Sequence, residues 1–233
     1  MAASFDLTRY LGTLPLFAEL REEDRQTLAL QGCRLSRPTR GDRLFAAGHR
    51  CDEMLVVVTG HVKLYGLTPA GGEKVFELIG PGQCIGETLV FHGQPHSLHA
   101  QALTDLLLLH LPKAPLTALV AREPRFALRL LAGASQRIQD LLQDVEAYCL
   151  HSGVRRVVGY LLSRPEARGG QRGTAPVVVS LPVSKATIAS RLSLTPEYFS
   201  RVLRELEDAG LIETRRRDIH ILQPQSLARY CSA

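Results

Sequence analysis

Glu197, Ser200, Arg201 and Arg204 stand at i, i+3, i+4 and i+7, so on a helix they form one stripe. A guanidinium in such a stripe can make a two-pronged contact to guanine, and a carboxylate can accept from a cytosine amino group. A hydroxyl between them can serve a base or a phosphate. The same residues on an ordinary amphipathic pair would be a solvated charged face, but their surroundings argue for the specialised use. Thr195-Pro196-Glu197 starts the helix with a hydroxyl cap, a proline at the first helical position and a carboxylate near the positive end of the dipole. Phe199, Val202, Leu203 and Leu206 supply an apolar face on the other side. Upstream, Ser184 caps a shorter helix with Ile188, Ala189 and Leu192 on one face, and Ser193-Leu194 makes the turn between the two. Two helices, a tight turn and an unused polar stripe make a helix-turn-helix, whose second helix lies in the major groove of double-stranded DNA.

The distribution of charge agrees with a polyanionic partner. Residues 151–233 carry 13 Lys+Arg against 7 Asp+Glu, net +6; the remainder of the 28 and 23 leaves 15 against 16 for residues 1–150, net −1. A net positive charge carried by the C-terminal part can neutralise phosphates and release counterions, an affinity that needs no particular base sequence.

The elements that must carry these residues can be traced along the chain. Residues 1–30 read as one or two short helices. From Leu35 to Leu111 the pattern becomes short alternating or apolar runs, such as Met54 to Val58 and Val62 to Leu67, broken at Gly41, Gly48, Gly60, Gly71-Gly72 and Gly80-Pro81-Gly82. That spacing predicts an antiparallel barrel or jelly roll. After Pro124 the period is helical: Leu131, Ala134, Ile138, Leu141, Val145 and Tyr148 step by three and four residues, a heptad seam for a second copy of the chain. A homodimer suits a palindromic DNA site. A helix over Val154–Leu162, a flexible loop over Arg164–Pro176 and a strand over Val177–Leu181 then lead to the helix pair. Leu211–Thr214 and Asp218–Leu222 read as a hairpin tipped by Arg215, Arg216 and Arg217, placed for phosphate contact. The resulting plan is α+β: a sensor domain over 1–123, a dimerisation helix over 124–150 and a DNA-binding domain over 151–233.

Other functions are argued against by what the chain lacks. No apolar run approaches the 18 to 20 residues of a membrane span, and the start, MAASFDLTRYLG, lacks the plan of a signal peptide, so a cytoplasmic location and no membrane partner are expected. The five cysteines, Cys33, Cys51, Cys84, Cys149 and Cys231, are dispersed and form no CxxC pair, which speaks against a disulfide framework or zinc site. G-x-S-x-G, P-loop and HExxH signatures are absent, so no enzymatic activity is expected.

Four stretches carry a resemblance that covers nearly the whole chain: Gly60-His-Val-Lys-Leu-Tyr65, Thr68-Pro-Ala-Gly-Gly-Glu-Lys74, Gly80-Pro-Gly-Gln-Cys-Ile-Gly-Glu87 and Thr195-Pro-Glu-Tyr-Phe-Ser-Arg201. In combination they resemble the family of the cyclic-AMP receptor protein and the fumarate-nitrate reductase regulator (CRP/FNR). The resemblance implies a β-roll sensor domain of the cyclic-nucleotide-binding kind, a long dimerisation helix and a winged helix-turn-helix, with RNA polymerase as a further partner if the protein activates. Glu197, Ser200 and Arg201 match the fumarate-nitrate branch, implying a TTGAT-N4-ATCAA type palindrome.

The resemblance also bears on what is sensed. Cyclic-nucleotide members hold the sugar with a Gly-Glu pair and the phosphate with an Arg-Ser pair. Gly86-Glu87 is present, but His96-Ser97 stands where Arg-Ser is expected, and a neutral imidazole cannot supply the guanidinium fork, so cyclic AMP is not expected. The oxygen sensors hold an iron-sulfur cluster on N-terminal cysteines, whereas the first cysteine here is Cys33, so no such cluster is expected. Val62-Lys-Leu-Tyr, Leu67-Thr-Pro and Glu73-Lys-Val are similar to a third branch, the Dnr-like haem-binding nitric oxide regulators of denitrification. That similarity makes haem the first candidate effector, with His61, His92, His96, His99 or His110 as its axial ligand. A ligand-free member, or one regulated through Cys84 or Cys149, is the alternative.

Overall fold

The computed structural model describes residues 5–164 and 176–230. Cys231 and nearly all of the expected Arg164–Pro176 loop lie outside the described residues. The chain divides into two compact units, Met1–Gly66 with Phe76–Asp140, and Leu67–Val75 with Leu141–Ala233.

In the first unit, α1 (Leu7–Thr13) and α2 (Glu22–Leu30) precede the strands β1 (Arg34–Ser36), β2 (Arg43–Phe45), β3 (Glu53–Thr59), β4 (Val62–Leu67), β5 (Glu73–Ile79), β6 (Cys84–Ile85), β7 (His99–Ala102) and β8 (Leu107–Pro112), with α3 (Leu89–His92) between β6 and β7. They form two antiparallel four-stranded sheets ordered β1-β8-β3-β6 and β2-β7-β4-β5, the jelly-roll arrangement expected from the glycine-punctuated runs. Strand β3 reads EMLVVVT because it is covered on both faces. Leu55 and Val57 point into the sandwich with Val62, Leu64 and Ala100. Met54 and Val56 point the other way, into a core shared with Leu11, Phe17, Leu116 and Phe126 from the flanking helices, α4 (Lys113–Arg122) among them. Strand β8 alternates likewise, Leu109 and Leu111 joining the helical core and Leu108 the sandwich.

Helix α5 runs from Pro124 to Leu150 and continues across the division between the units. Leu131, Ile138, Leu141 and Val145 are 64%, 57%, 48% and 57% exposed, so this apolar row is left largely uncovered by the described residues. Ala134 is half-buried. Tyr148, the last residue of the expected seam, is half-buried, and its hydroxyl donates to the Arg191 carbonyl at 2.6 Å and accepts from the Arg191 guanidinium at 2.5 Å. Heptad spacing could not show this, because the hydroxyl's partner lies 43 residues away.

The second unit contains α6 (Gly153–Ser163), β9 (Val177–Ser180), α7 (Lys185–Arg191), α8 (Pro196–Asp208), β10 (Ile212–Arg215), β11 (Asp218–Ile221) and α9 (Pro224–Arg229). Its sheet is ordered β10-β11-β9, a hairpin extended by the strand that precedes the helix pair. Val157, Leu161, Ile188, Phe199, Val202, Leu206 and Ile219 are buried in this unit.

Candidate nucleic-acid interface

Helix α8 forms where its local chemistry requires. The Thr195 side chain accepts from the Tyr198 N–H, Pro196 opens the helix, and Glu197 lies in the first turn. The Ser184 side chain caps α7 by accepting from the Thr187 N–H at 3.1 Å. Between the helices Ser193 takes φ 55°, and the Leu194 N–H returns to the Ala189 carbonyl at 2.9 Å. Arg156 of α6 fixes the turn from outside, its guanidinium donating to the Leu192 carbonyl at 2.8 Å.

Phe199, Val202, Leu203 and Leu206 are all buried, which leaves Glu197, Ser200, Arg201 and Arg204 exposed together on the opposite side. The Ser200 hydroxyl donates to the Pro196 carbonyl at 2.9 Å, so its remaining capacity toward a partner is as an acceptor. Arg201 stacks over Tyr198, with its guanidinium carbon 4.7 Å from the ring centroid. Tyr198 in turn lies against Gly153 at the start of α6, where a Cβ would collide with the ring. Neither Tyr198 nor Gly153 was singled out by spacing. The contact between them joins helices 45 positions apart, and a tyrosine inside a helix carries no signal of it.

The hairpin differs slightly from expectation. Arg215 is the last residue of β10, not part of the tip, and makes two hydrogen bonds, of 2.9 and 3.0 Å, to the Glu213 carboxylate. The turn itself is Arg216-Arg217, with Arg216 at φ 57°. Both are exposed, and neither side chain has a hydrogen-bond or ion-pair partner among the described residues.

In the first unit two of the expected effector residues come together, a Cβ at Gly86 standing 3.7 Å from Cε1 of His96. Gly86 takes φ 82°, and a Cβ there would lie 2.9 Å from Cys51 Sγ. Glu87 is engaged by Arg137 of α5, which also binds Glu77, so one guanidinium joins two carboxylates. Arg137 was missed in the sequence. Its only signal is a cation directly before Ile138 in an otherwise apolar seam. His96 is 7% exposed and stacks on Phe45 with centroids 3.7 Å apart; burial, then His49, lowers its pKa and keeps it neutral. Ser97 is exposed. His110 has both ring nitrogens occupied, by Ser36 Oγ and Glu53 Oε2 at 2.8 Å each, so it cannot serve as an iron ligand without losing one of them. Burial pushes the Cys84 thiol up to about 12 and Cys33 up to about 11, which leaves them protonated and poorly nucleophilic, whereas Cys149 is exposed. No group of three or more potential metal ligands occurs among the described residues. No helix among them is long and apolar enough to cross a membrane.

Residues 37–123 match the family model of the cyclic nucleotide-binding domain, and residues 155–230 match that of the Crp-like helix-turn-helix domain. With a jelly roll and a helix-turn-helix whose second helix exposes Glu197, Ser200, Arg201 and Arg204, the class is that of a DNA-binding transcription regulator. The chain is 30% identical over 193 residues to the nitrogen fixation regulation protein FixK of Rhizobium meliloti, covering 82% of this chain and 84% of that one. It is 26% identical over 193 residues to the fumarate and nitrate reduction regulatory protein of Escherichia coli, covering 82% and 75%. FixK2 from Bradyrhizobium japonicum shares the fold at a TM-score of 0.75 and 22% identity, over 86% of this chain and 98% of that one. The chain belongs to the CRP/FNR family of bacterial transcription regulators, a family of DNA-binding proteins and not of enzymes.

Proposed function

We propose that two copies pair along the exposed row of α5 and read a TTGAT-N4-ATCAA palindrome, one half-site per recognition helix. Arg201 takes the guanine, Glu197 accepts from a cytosine amino group, and Ser200 and Arg204 serve neighbouring bases or phosphates. Arg216 and Arg217 contact the backbone, with Arg215 contributing less because Glu213 already holds it. The observation that carries this reading is the stripe on α8, where Glu197, Ser200, Arg201 and Arg204 are exposed while Phe199, Val202, Leu203 and Leu206 are buried on the other side. Arg201→Ala should lower affinity for the palindrome by about 1–3 kcal/mol and relax the preference for guanine, measured by titrating duplexes substituted at that base. Unchanged affinity would remove the assignment. RNA polymerase is the further partner if the dimer activates.

For the effector we place haem first, with nitric oxide as its signal, as in the Dnr-like branch. His96 is the imidazole best prepared for iron, because burial holds it neutral and no hydrogen bond among the described residues engages its ring. Protein reconstituted with haem should show a Soret band that shifts on nitric oxide addition and is lost in His96→Ala; a featureless titration counts against it. A second reading, a member without a diffusible effector, is favoured by one specific contact: Arg137 already occupies Oε1 of Glu87, the carboxylate that cyclic-nucleotide members use for the sugar, although Oε2 is buried with no hydrogen-bond partner among the described residues. Thiol control through Cys84 is disfavoured by its protonation.

A further inference from the structure

On the inward faces of β3 and β8, Leu55, Val57 and Leu108 are apolar, and Glu53 and His110 form a polar pair at one end. His110 pairs across from Leu55 and so points into the sandwich, where it is 8% exposed. Its polar atoms are satisfied in a chain: Nδ1–H donates to the Glu53 carboxylate, and Nε2 accepts from the Ser36 hydroxyl. Burial lowers the His110 pKa, so the ring is neutral and the chain closed.

Beside it the sheets part between the edge strands β1 and β2, opening a cavity of about 490 Å³. This size is ordinary for a small-molecule site. None of Gly86, Glu87, His96 or Ser97 lines it. The wall from Leu44, Leu55 and Leu108 is apolar, and the Ser36–His110 pair asks nothing further of an occupant. The rim carries Arg37 and Arg43, both exposed, and neither has a hydrogen-bond or ion-pair partner among the described residues. Asp42, the one carboxylate on the rim, accepts from the Thr39 N–H and hydroxyl at 2.7 and 3.0 Å, both at Oδ2, which ties that oxygen to its own turn.

We infer that this cavity binds a small monocarboxylate with an unbranched apolar tail, the tail against Leu44, Leu55 and Leu108 and the head between Arg37 and Arg43. Two uncommitted guanidinium groups over an apolar floor select both halves of such a ligand, and guanidinium matches carboxylate geometry.

Calorimetric titration of the full-length protein with octanoate, and separately with octanol, tests this. Octanoate should bind saturably, and octanol at least about tenfold more weakly. The Arg37→Ala/Arg43→Ala double variant breaks no side-chain hydrogen bond or ion pair among the described residues and should weaken octanoate by a similar factor. Leu44→Trp, which fills the floor, should weaken both compounds. Absence of octanoate binding, equal affinity for octanol, or indifference to the double variant would each overturn the assignment.

Discussion

Arg201 is held in place before any partner arrives. Tyr198 lies beneath its guanidinium, and Glu205 Oε1 stands 4.0 Å from its Nε, so less side-chain freedom remains to be lost on binding. Tyr198→Leu should therefore reduce DNA affinity by about 0.5–1 kcal/mol, while Tyr198→Phe, which keeps the ring face, should leave it unchanged in an anisotropy titration. The buried histidines make a prediction of a different kind. His96 and His110 have pKa values lowered by burial from the ordinary 6.5, so the unfolded chain takes up protons first on acidification. Stability is then fully present above pH 6.5 and is lost as pH falls through that value toward the folded pKa values. Glu53 adds to the trend at lower pH: burial opposes its charge, but His110 and Arg34 hold its pKa below 4.5. Thermal melts from pH 8 to pH 5 should show a falling melting temperature, with a shallower slope in His96→Phe; a flat profile would contradict the burial argument.

At the scale of the element, α8 shows how far local chemistry decides structure. Its cap, first-turn proline and buried row were all legible, because each depends on residues within a few positions of one another. Thr195→Ala removes the acceptor for the Tyr198 N–H and should destabilise the protein by about 1 kcal/mol in denaturant melts. The long strands were legible too, since β3 is apolar over Met54–Val58 and β8 is apolar but for His110, runs that suit a doubly covered strand. Strands β1 and β6, of three and two residues, were not. So short a strand has no period of its own and exists through its ladder to a distant neighbour, β8 or β3. The site followed the same division. The stripe on α8 could be read from spacing, whereas the Arg137 clamp on Glu77 and Glu87, the Tyr198 support and the Ser36–His110–Glu53 chain join residues 45 or more positions apart.

For the whole molecule, the dimer proposed above would account for the exposed row on α5 and the exposed stripe on α8 together, as a two-fold protein on a two-fold site. Apolar side chains about half exposed at Leu131, Ile138, Leu141 and Val145 would be a solubility liability in a monomer and are a coiled-coil seam in a dimer. Ile138→Glu should shift the protein to monomer in sedimentation analysis, through a charge that cannot be buried without a partner, and should abolish palindrome binding while the thermal melt of each unit persists. The most direct test of the account is equilibrium binding of the wild-type chain to a duplex carrying TTGAT-N4-ATCAA, beside one with a single half-site and one with the half-sites scrambled, over a range of salt. The account predicts two chains per intact palindrome, much weaker binding to the other duplexes, and an affinity that falls steeply with salt. Equal affinity for the intact and scrambled duplexes would contradict it.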